Sequence, residues 1–139
     1  MRKDIADKWV KRLREGGIEQ CKGSLAINDA RCCLGVLCDI AAEEDPETFY
    51  WGDPSNSFEE KEPILFGTII EGSMSFGTTD DRRSRAVLPE CVVKWAGCMS
   101  STGFVPGRED CDNKLTVLND KGVSFAEIAD IIERNSRHM

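Results

Sequence analysis

The sequence predicts a single α+β domain, residues 1–139, of about four helices with a small antiparallel sheet between the second and the third. Its 139 residues are the length of one domain with a substantial core. Apolar residues recur at helical spacing towards both ends of the chain. The main run of branched and aromatic residues that is typical of strands, residues 64–89, lies between these helical segments.

The first predicted helix covers residues 3–15. Ile5, Trp9 and Leu13 recur at four-residue spacing, which places them on one face of a helix. Two glycines follow, and glycine readily adopts the left-handed conformation that ends many helices. This helix should therefore pack its apolar stripe on the core and expose its basic residues.

The second predicted helix contains RCCLGVLCDIAAEE, residues 31–44, and is apolar around most of its circumference. Such a helix is typical of a buried, central position. Asn28 or Asp29 is its expected N-cap. Gly35 in its middle predicts the close approach of a neighbouring element, because glycine there costs about 1 kcal/mol relative to alanine.

Helical signals also lie on both sides of a loop in the C-terminal part. One short helix is predicted to start at Pro89 and to end at Gly97, and another starts near Leu115. The sequence SFAE, residues 124–127, is a capping box that begins the last helix. The terminal SRHM, residues 136–139, is expected to fray.

Charge is unevenly distributed along the chain, whose formal net charge is −7. Residues 1–22 carry seven Lys and Arg against four Asp and Glu, whereas residues 23–62 carry two against ten. The net sign argues against direct nucleic-acid binding, which requires excess Lys and Arg. No run approaches the roughly 18 apolar residues of a membrane span, and the first residues lack the apolar core of a secretory signal. We therefore expect a cytoplasmic protein without membrane contact.

Seven cysteines raise the question of a metal or redox site. Cytoplasmic thiols are kept reduced, and an odd number cannot all pair within one chain. The sequence has no C-x-x-C pair of the kind that binds zinc. Since free cysteine is among the most frequently buried residues, we expect core packing and no metal. A cysteine-based metal or redox regulator is the weaker alternative.

Residues 43–63 are rich in Pro, Asp, Ser and Glu and are predicted to form a long acidic loop. Three successive aromatic residues, 49–51, stand within it. They either cover the core or form a recognition element. If the loop is a contact surface, its candidate partner-binding residues are Glu59, Glu60, Glu62, Phe49 and Tyr50.

The densest basic group after the first helix is DDRRSR, residues 80–85. Arg82, Arg83 and Arg85 carry planar guanidinium groups, which suit phosphate or carboxylate. With Trp51 as a stacking platform for a base, they form a candidate site for a small nucleotide. The two aspartates that precede the arginines can instead neutralise them.

The sequence lacks the usual catalytic constellations. Its single histidine, His138, stands in a segment that is expected to fray, where a general base cannot be held rigidly. No P-loop, dinucleotide-binding glycine motif or H-E-x-x-H zinc motif occurs. Carboxylate and arginine chemistry needs no histidine and stays open, but we expect a protein without catalysis and without a cofactor.

Four blocks occur in order along the chain: KWVKRLREG at 8–16, CCLGVLCDIA at 32–41, LPECVVKWAG at 88–97 and LTVLNDKGVSFAEIADIIE at 115–133. Together they resemble a family of small proteins encoded by tailed bacteriophages and prophages. The resemblance spans both ends of the chain and is weakest over residues 43–87. It implies a phage accessory protein in the cytoplasm of an infected bacterium, and it transfers no catalytic residue to this chain.

Two classes of function follow from these observations. The first, which we favour, is a non-catalytic protein that binds a host bacterial protein, such as a component of host defence, through the acidic segment and its aromatic residues. The second is a sponge that sequesters a small nucleotide signal through the arginine group and Trp51.

Overall fold

A computed structural model of the chain describes residues 1–52, 73–78, 84–108 and 113–139. Within these ranges the α+β prediction is confirmed, with five helices where about four were expected. No helix in the described ranges is long and apolar enough to cross a membrane. The helices are α1 (Lys3–Glu15), α2 (Cys33–Glu44), α3 (Glu90–Ala96), α4 (Leu115–Asp120) and α5 (Phe125–Asn135), and the strands are β1 (Ala26–Ile27), β2 (Ala30–Arg31), β3 (Tyr50–Gly52) and β4 (Ser75–Gly77).

The strands form two short antiparallel ladders. β1 pairs with β2, and β3 pairs with β4, with Trp51 opposite Phe76. A bridge from Ile27 to Ser73 joins the two ladders, and Ser84 pairs with Phe76 on the other side of β4. The sheet predicted between the second and third helices is therefore present as β3–β4. The predicted loop at residues 43–63 was wrong in two places, because Glu43 and Glu44 belong to α2 and Tyr50–Gly52 form β3. The predicted strand residues that precede Ser73 lie outside the described residues.

α2 lies at the centre of the core, as its apolar sequence predicts. Eight of its twelve residues are buried. α1 and α4 contact it, and α5 packs against α1. Trp9 on the buried stripe of α1 donates its indole N–H to the carbonyl of Cys33 at 2.9 Å. This bond fixes α1 against the first turn of α2.

Gly35 is the point where α2 meets the chain before β1. A Cβ at this position would lie 1.9 Å from the carbonyl oxygen of Leu25. The same carbonyl accepts a hydrogen bond from the N–H of Cys32 at 3.1 Å. The predicted close approach is confirmed, and the approaching element is the backbone at Leu25.

The N-cap of α2 is Cys32, so the prediction of Asn28 or Asp29 was wrong. The Cys32 sulfur accepts a hydrogen bond from the N–H of Gly35 at 3.4 Å. Asn28 and Asp29 instead form the two-residue turn between β1 and β2, with Asn28 at a φ of 52°. Asn is one of the few residues with a side chain that visit this left-handed region readily. The same residue types favour caps and hairpin turns, which explains the error.

Asn119, 1 % exposed, connects α4 to the N-terminal end of α2. Its Oδ1 accepts hydrogen bonds from the N–H of Cys33 at 3.1 Å and from Nε2 of Gln20 at 2.9 Å. Its Nδ2 donates to the carbonyl of Cys21 at 2.7 Å. α4 extends to Asp120, which places the Asn119 amide inside this polar network.

The C-terminal elements follow the predicted pattern with one exception. α3 is preceded by Pro89, and the Ser124 hydroxyl at the start of α5 accepts a hydrogen bond from the N–H of Glu127 at 3.2 Å, which is the N-cap half of the predicted capping box. The terminal segment was expected to fray. Instead a 3-10 turn returns Met139 to the core, where it is buried and its carbonyl accepts from the N–H of Met99 at 2.6 Å.

Replacing Gly35 with alanine should lower the free energy of unfolding by about 3 kcal/mol, because the new methyl group overlaps the carbonyl of Leu25. Helix propensity alone predicts a gain of about 1 kcal/mol. Urea denaturation distinguishes the two signs. The control is Ala42→Gly on the half-buried face of α2, which should lose about 1 kcal/mol. A Gly35→Ala variant as stable as the wild type would contradict the close approach.

Replacing Asn119 with alanine should cost about 2–4 kcal/mol, because the N–H of Cys33 and the carbonyl of Cys21 lose their side-chain partner within the core. The control is Gln20→Ala, which removes a half-buried partner of the same amide and should cost about 1 kcal/mol. Chemical denaturation of both variants gives the comparison. Equal losses would mean that the amide does not organise the network.

Candidate functional site

The three successive aromatic residues occupy different environments. Phe49 is 5 % exposed, and its ring centroid lies 6.3 Å from that of Phe76 and 5.8 Å from that of Trp95. Tyr50 and Trp51 are half-buried. Phe49 therefore belongs to the core and is not available to a partner in this fold, which corrects its assignment as a contact residue. Tyr50 stays a candidate.

Trp51 is held against α2 by Asp39 and Arg31. Nε1 of Trp51 donates a hydrogen bond to Oδ1 of Asp39 at 2.8 Å. Nε of Arg31 lies 3.2 and 3.1 Å from the two carboxylate oxygens of Asp39. The guanidinium carbon of Arg31 is 4.8 Å from the Trp51 ring centroid, which is a cation–π contact. These residues are called the Arg31–Asp39–Trp51 cluster below.

The cluster joins β2, α2 and β3 and was missed by sequence analysis. Its ion pair is largely buried, with the Arg31 and Asp39 side chains 16 % and 24 % exposed. Arg31 also donates from Nη1 to the carbonyls of Asn28 and Ala30 at 2.9 and 3.0 Å. Asp39 could have indicated the cluster from the sequence, because it is the one charged residue between positions 32 and 42. A charge in so apolar a helix requires a partner.

The candidate nucleotide site lies only partly within the described residues, because Arg82 and Arg83 fall outside them. Arg85 donates from Nη1 to the carbonyl of Ser73 at 2.7 Å. One face of the Trp51 ring carries the guanidinium of the cluster, so a base could stack there only by displacing it. Both described members of the site therefore already serve contacts within the fold.

An acidic surface begins within the described residues at the C-terminal end of α2. The last turn of this helix contains no basic residue. Residues 45–48 then form a turn in which the carbonyl of Asp45 accepts from the N–H groups of Thr48 and Phe49. This turn is called the acidic turn. The carboxylates at this end belong to Glu43, Glu44, Asp45 and Glu47, and the three predicted partner-binding residues that lie outside the described ranges are Glu59, Glu60 and Glu62.

α1 supplies cations to half of this acidic end. Lys8 pairs with Glu44, and Arg12 pairs with Glu43 at 2.7 Å. The hydrogen bond that Arg12 donates to the carboxylate of Glu43 raises the pKa of Arg12. Both pairs are solvent-exposed and therefore contribute little to stability. Within the described ranges, the two carboxylates of the acidic turn have no ion-pair partner.

Of the six cysteines in the described residues, four are core residues, as expected, whereas Cys91 and Cys98 are half-buried. Cys33 and Cys38 are fully buried, and Cys32 and Cys21 are 5 % and 8 % exposed. Burial raises the pKa of all four thiols, to about 12 for Cys32. A thiol with a raised pKa stays protonated at neutral pH and is a poor nucleophile and metal ligand. Cys111 lies outside the described residues, and among the described ones no three His, Cys, Asp or Glu side chains form a group that could hold a metal ion.

Charged side chains also line an open groove of about 420 Å³ between α1 and α5. Arg14 bridges the two helices through Asp130 at 2.7 Å and Glu133 at 2.5 Å. The groove presents both signs of charge, so it defines no ligand chemistry. Its lining consists of Asp7, Val10, Lys11, Arg14, Glu15 and Glu133.

The buried thiols predict a fall in stability at alkaline pH. Their pKa is raised above 9.0 in the fold, so the unfolded chain releases these protons first. Their contribution to stability is therefore complete below about pH 9 and is lost as the pH rises towards the folded values. Each thiol then lowers the free energy of unfolding by up to about 1.4 kcal/mol per pH unit.

Urea denaturation of reduced protein between about pH 8 and pH 10.5 tests this dependence. Cys38→Ala should make the decline shallower by about 1.4 kcal/mol per pH unit above pH 9. The control is Ile40→Val, which destabilises α2 without removing a thiol and should keep the wild-type slope. An unchanged slope in Cys38→Ala would contradict the protonated, buried state of this thiol.

The model of one protein family matches residues 1–136 of the chain, and that family is DUF8296, a domain of unknown function. No curated protein and no solved structure matches the chain. The family match spans α1 to α5 and therefore includes the buried α2, the polar network of Asn119 and the Arg31–Asp39–Trp51 cluster. The chain belongs to the DUF8296 family.

Proposed function

We propose that this protein is a phage-encoded accessory protein that binds a host bacterial protein through its acidic surface, without catalysis. The observation that carries the proposal is the set of four carboxylates at the C-terminal end of α2, a position that favours cations. In the sequence the excess of acidic residues continues over residues 43–62, which contain eight Asp and Glu against one Lys. A partner with a complementary basic surface fits this distribution.

The acidic surface works against the stability of the free protein. A charge of the unfavourable sign at a helix end costs about 0.3–1 kcal/mol at an exposed position. Neighbouring carboxylates add mutual repulsion, and only two of the four at this helix end receive cations from α1. A basic partner would relieve this repulsion, and the uncompensated charge would accelerate the encounter. Binding to a basic partner therefore accounts for a group of carboxylates that does not stabilise the fold.

The chemistry of the described residues favours binding over catalysis. The histidine is exposed, in the 3-10 turn after α5, and the core thiols are protonated at neutral pH. Arg85 and Trp51 already serve contacts within the fold, so no described contact favours the nucleotide sponge. The phage context rests on the sequence resemblance, and it makes the cytoplasm of the infected bacterium the place of action and a host factor such as a defence component the expected partner.

Charge reversal of the acidic surface should abolish capture of the partner. The test variant combines Asp45→Lys and Glu47→Lys with Glu59→Lys, Glu60→Lys and Glu62→Lys. Immobilised wild-type protein should retain a specific protein from bacterial lysate at low salt, and the variant should retain less than about a tenth as much. Salt at about 1 M, where the Debye length is about 3 Å, should elute the partner.

The matched control reverses five exposed carboxylates outside residues 43–62, through Asp7→Lys, Glu15→Lys, Glu19→Lys, Asp29→Lys and Glu90→Lys, so that its net charge equals that of the test variant. It should retain the partner, because attraction to a basic surface depends on local charge. Equal loss in the control would show that only net charge matters. Retention by the test variant, or no retained host protein at all, would refute the proposed function.

A further inference from the structure

We propose that the Arg31–Asp39–Trp51 cluster is a latch that fastens residues 45–52 to α2, and that this segment opens as a unit while α1, α2 and α5 stay folded. The segment, called the strap, contains the acidic turn and β3. It leaves α2 at Asp45, whose N–H donates to the carbonyl of Ala41 at 3.0 Å. It is the route by which the chain passes from the central helix to the β3–β4 ladder.

Phe49 and Trp51 both attach the strap to the body of the protein. Phe49 inserts between Phe76 and Trp95 in the core. Trp51 makes three contacts: its N–H bond to Asp39, the cation–π contact with the cluster guanidinium, and an edge-on contact with Phe76 at 4.7 Å between ring centroids. One attachment is apolar and buried, whereas the other is polar and half-exposed.

The three members of the latch depend on one another. Asp39 holds both Trp51 and Arg31, and the guanidinium of Arg31 lies over the ring that Asp39 orients. Since each member contacts the other two, removing one eliminates two of the three contacts. Removal of Asp39 would also leave the largely buried charge of Arg31 without its carboxylate. An unpaired buried charge destabilises the closed state of the strap.

The backbone pairing and the buried surface of the strap are both small. β3 pairs with β4 over three residues, and a two-stranded ladder of this length is marginal by itself. Phe49 is the one large side chain of the strap that the core buries. By contrast, each of α1, α2 and α5 buries at least five residues. Segments with few buried contacts open at a lower free energy than the core helices.

The latch has a consequence for the acidic surface. While it is closed, the carboxylates of the acidic turn keep a fixed position relative to α2, and opening releases them together with β3. This consequence rests on the proposed function. The opening of the strap does not, because it follows from contacts within the chain.

Amide hydrogen exchange measured by mass spectrometry on the full chain tests the latch. Trp51→Phe keeps a ring beside the guanidinium and removes the N–H bond, and Asp39→Asn removes the ion pair. In either variant, exchange at 45–52 and 75–77 should become about tenfold faster, with no change in α1 and α5. Glu47→Gln, on the strap but outside the latch, should exchange like the wild type.

Two results would overturn the latch. Unchanged exchange in the strap would mean that the cluster does not fasten it. Equal acceleration in the strap, α1 and α5 would mean that the strap belongs to the global folding unit. If Asp39→Asn does not fold, the exchange rates of Trp51→Phe alone decide between these results. Either failure leaves the proposed function untouched, since partner capture is measured separately.

Discussion

The burial of α2 is the constraint on which the rest of the structure depends. Three contacts fix its first turns: Gly35 lies against the backbone at Leu25, and Cys33 bonds to Asn119 and to Trp9. Each contact comes from a different part of the chain, so α1, α4 and the segment before β1 are positioned by the same helix. A side chain at position 35 would separate these elements, because the close approach leaves no room for a Cβ.

The two ends of α2 have different characters, and this difference organises the surface. The N-terminal half is neutral, buried and closed by side-chain hydrogen bonds, whereas the C-terminal end carries carboxylates into solvent. Several basic residues of α1, which the sequence predicts to be exposed, form ion pairs within the fold. Arg12 and Lys8 pair with the end of α2, and Arg14 pairs with α5. Part of the positive charge is thus neutralised by ion pairs within the fold, whereas the acidic surface stays exposed to solvent.

The sequence predicted well those features that depend on local periodicity. α1 has its predicted bounds, Ser124 is the N-cap of α5, and Gly35 marks a close approach. Features that depend on distant partners were not predictable. Asn119 is a surface-type residue whose partner Cys33 is 86 positions away. The β1–β2 hairpin has strands of two residues, which are too short to show an alternating pattern.

Native mass spectrometry of untagged protein, purified gently from a bacterial host, tests the central claim most directly. That claim is a non-catalytic binding protein with a core of protonated thiols and an acidic contact surface. The account predicts the mass of the bare polypeptide, alone or joined to a host protein through a contact that salt disrupts. A stoichiometric zinc ion or a bound nucleotide would contradict it, since the first would require ionised cysteines and the second an occupied arginine site.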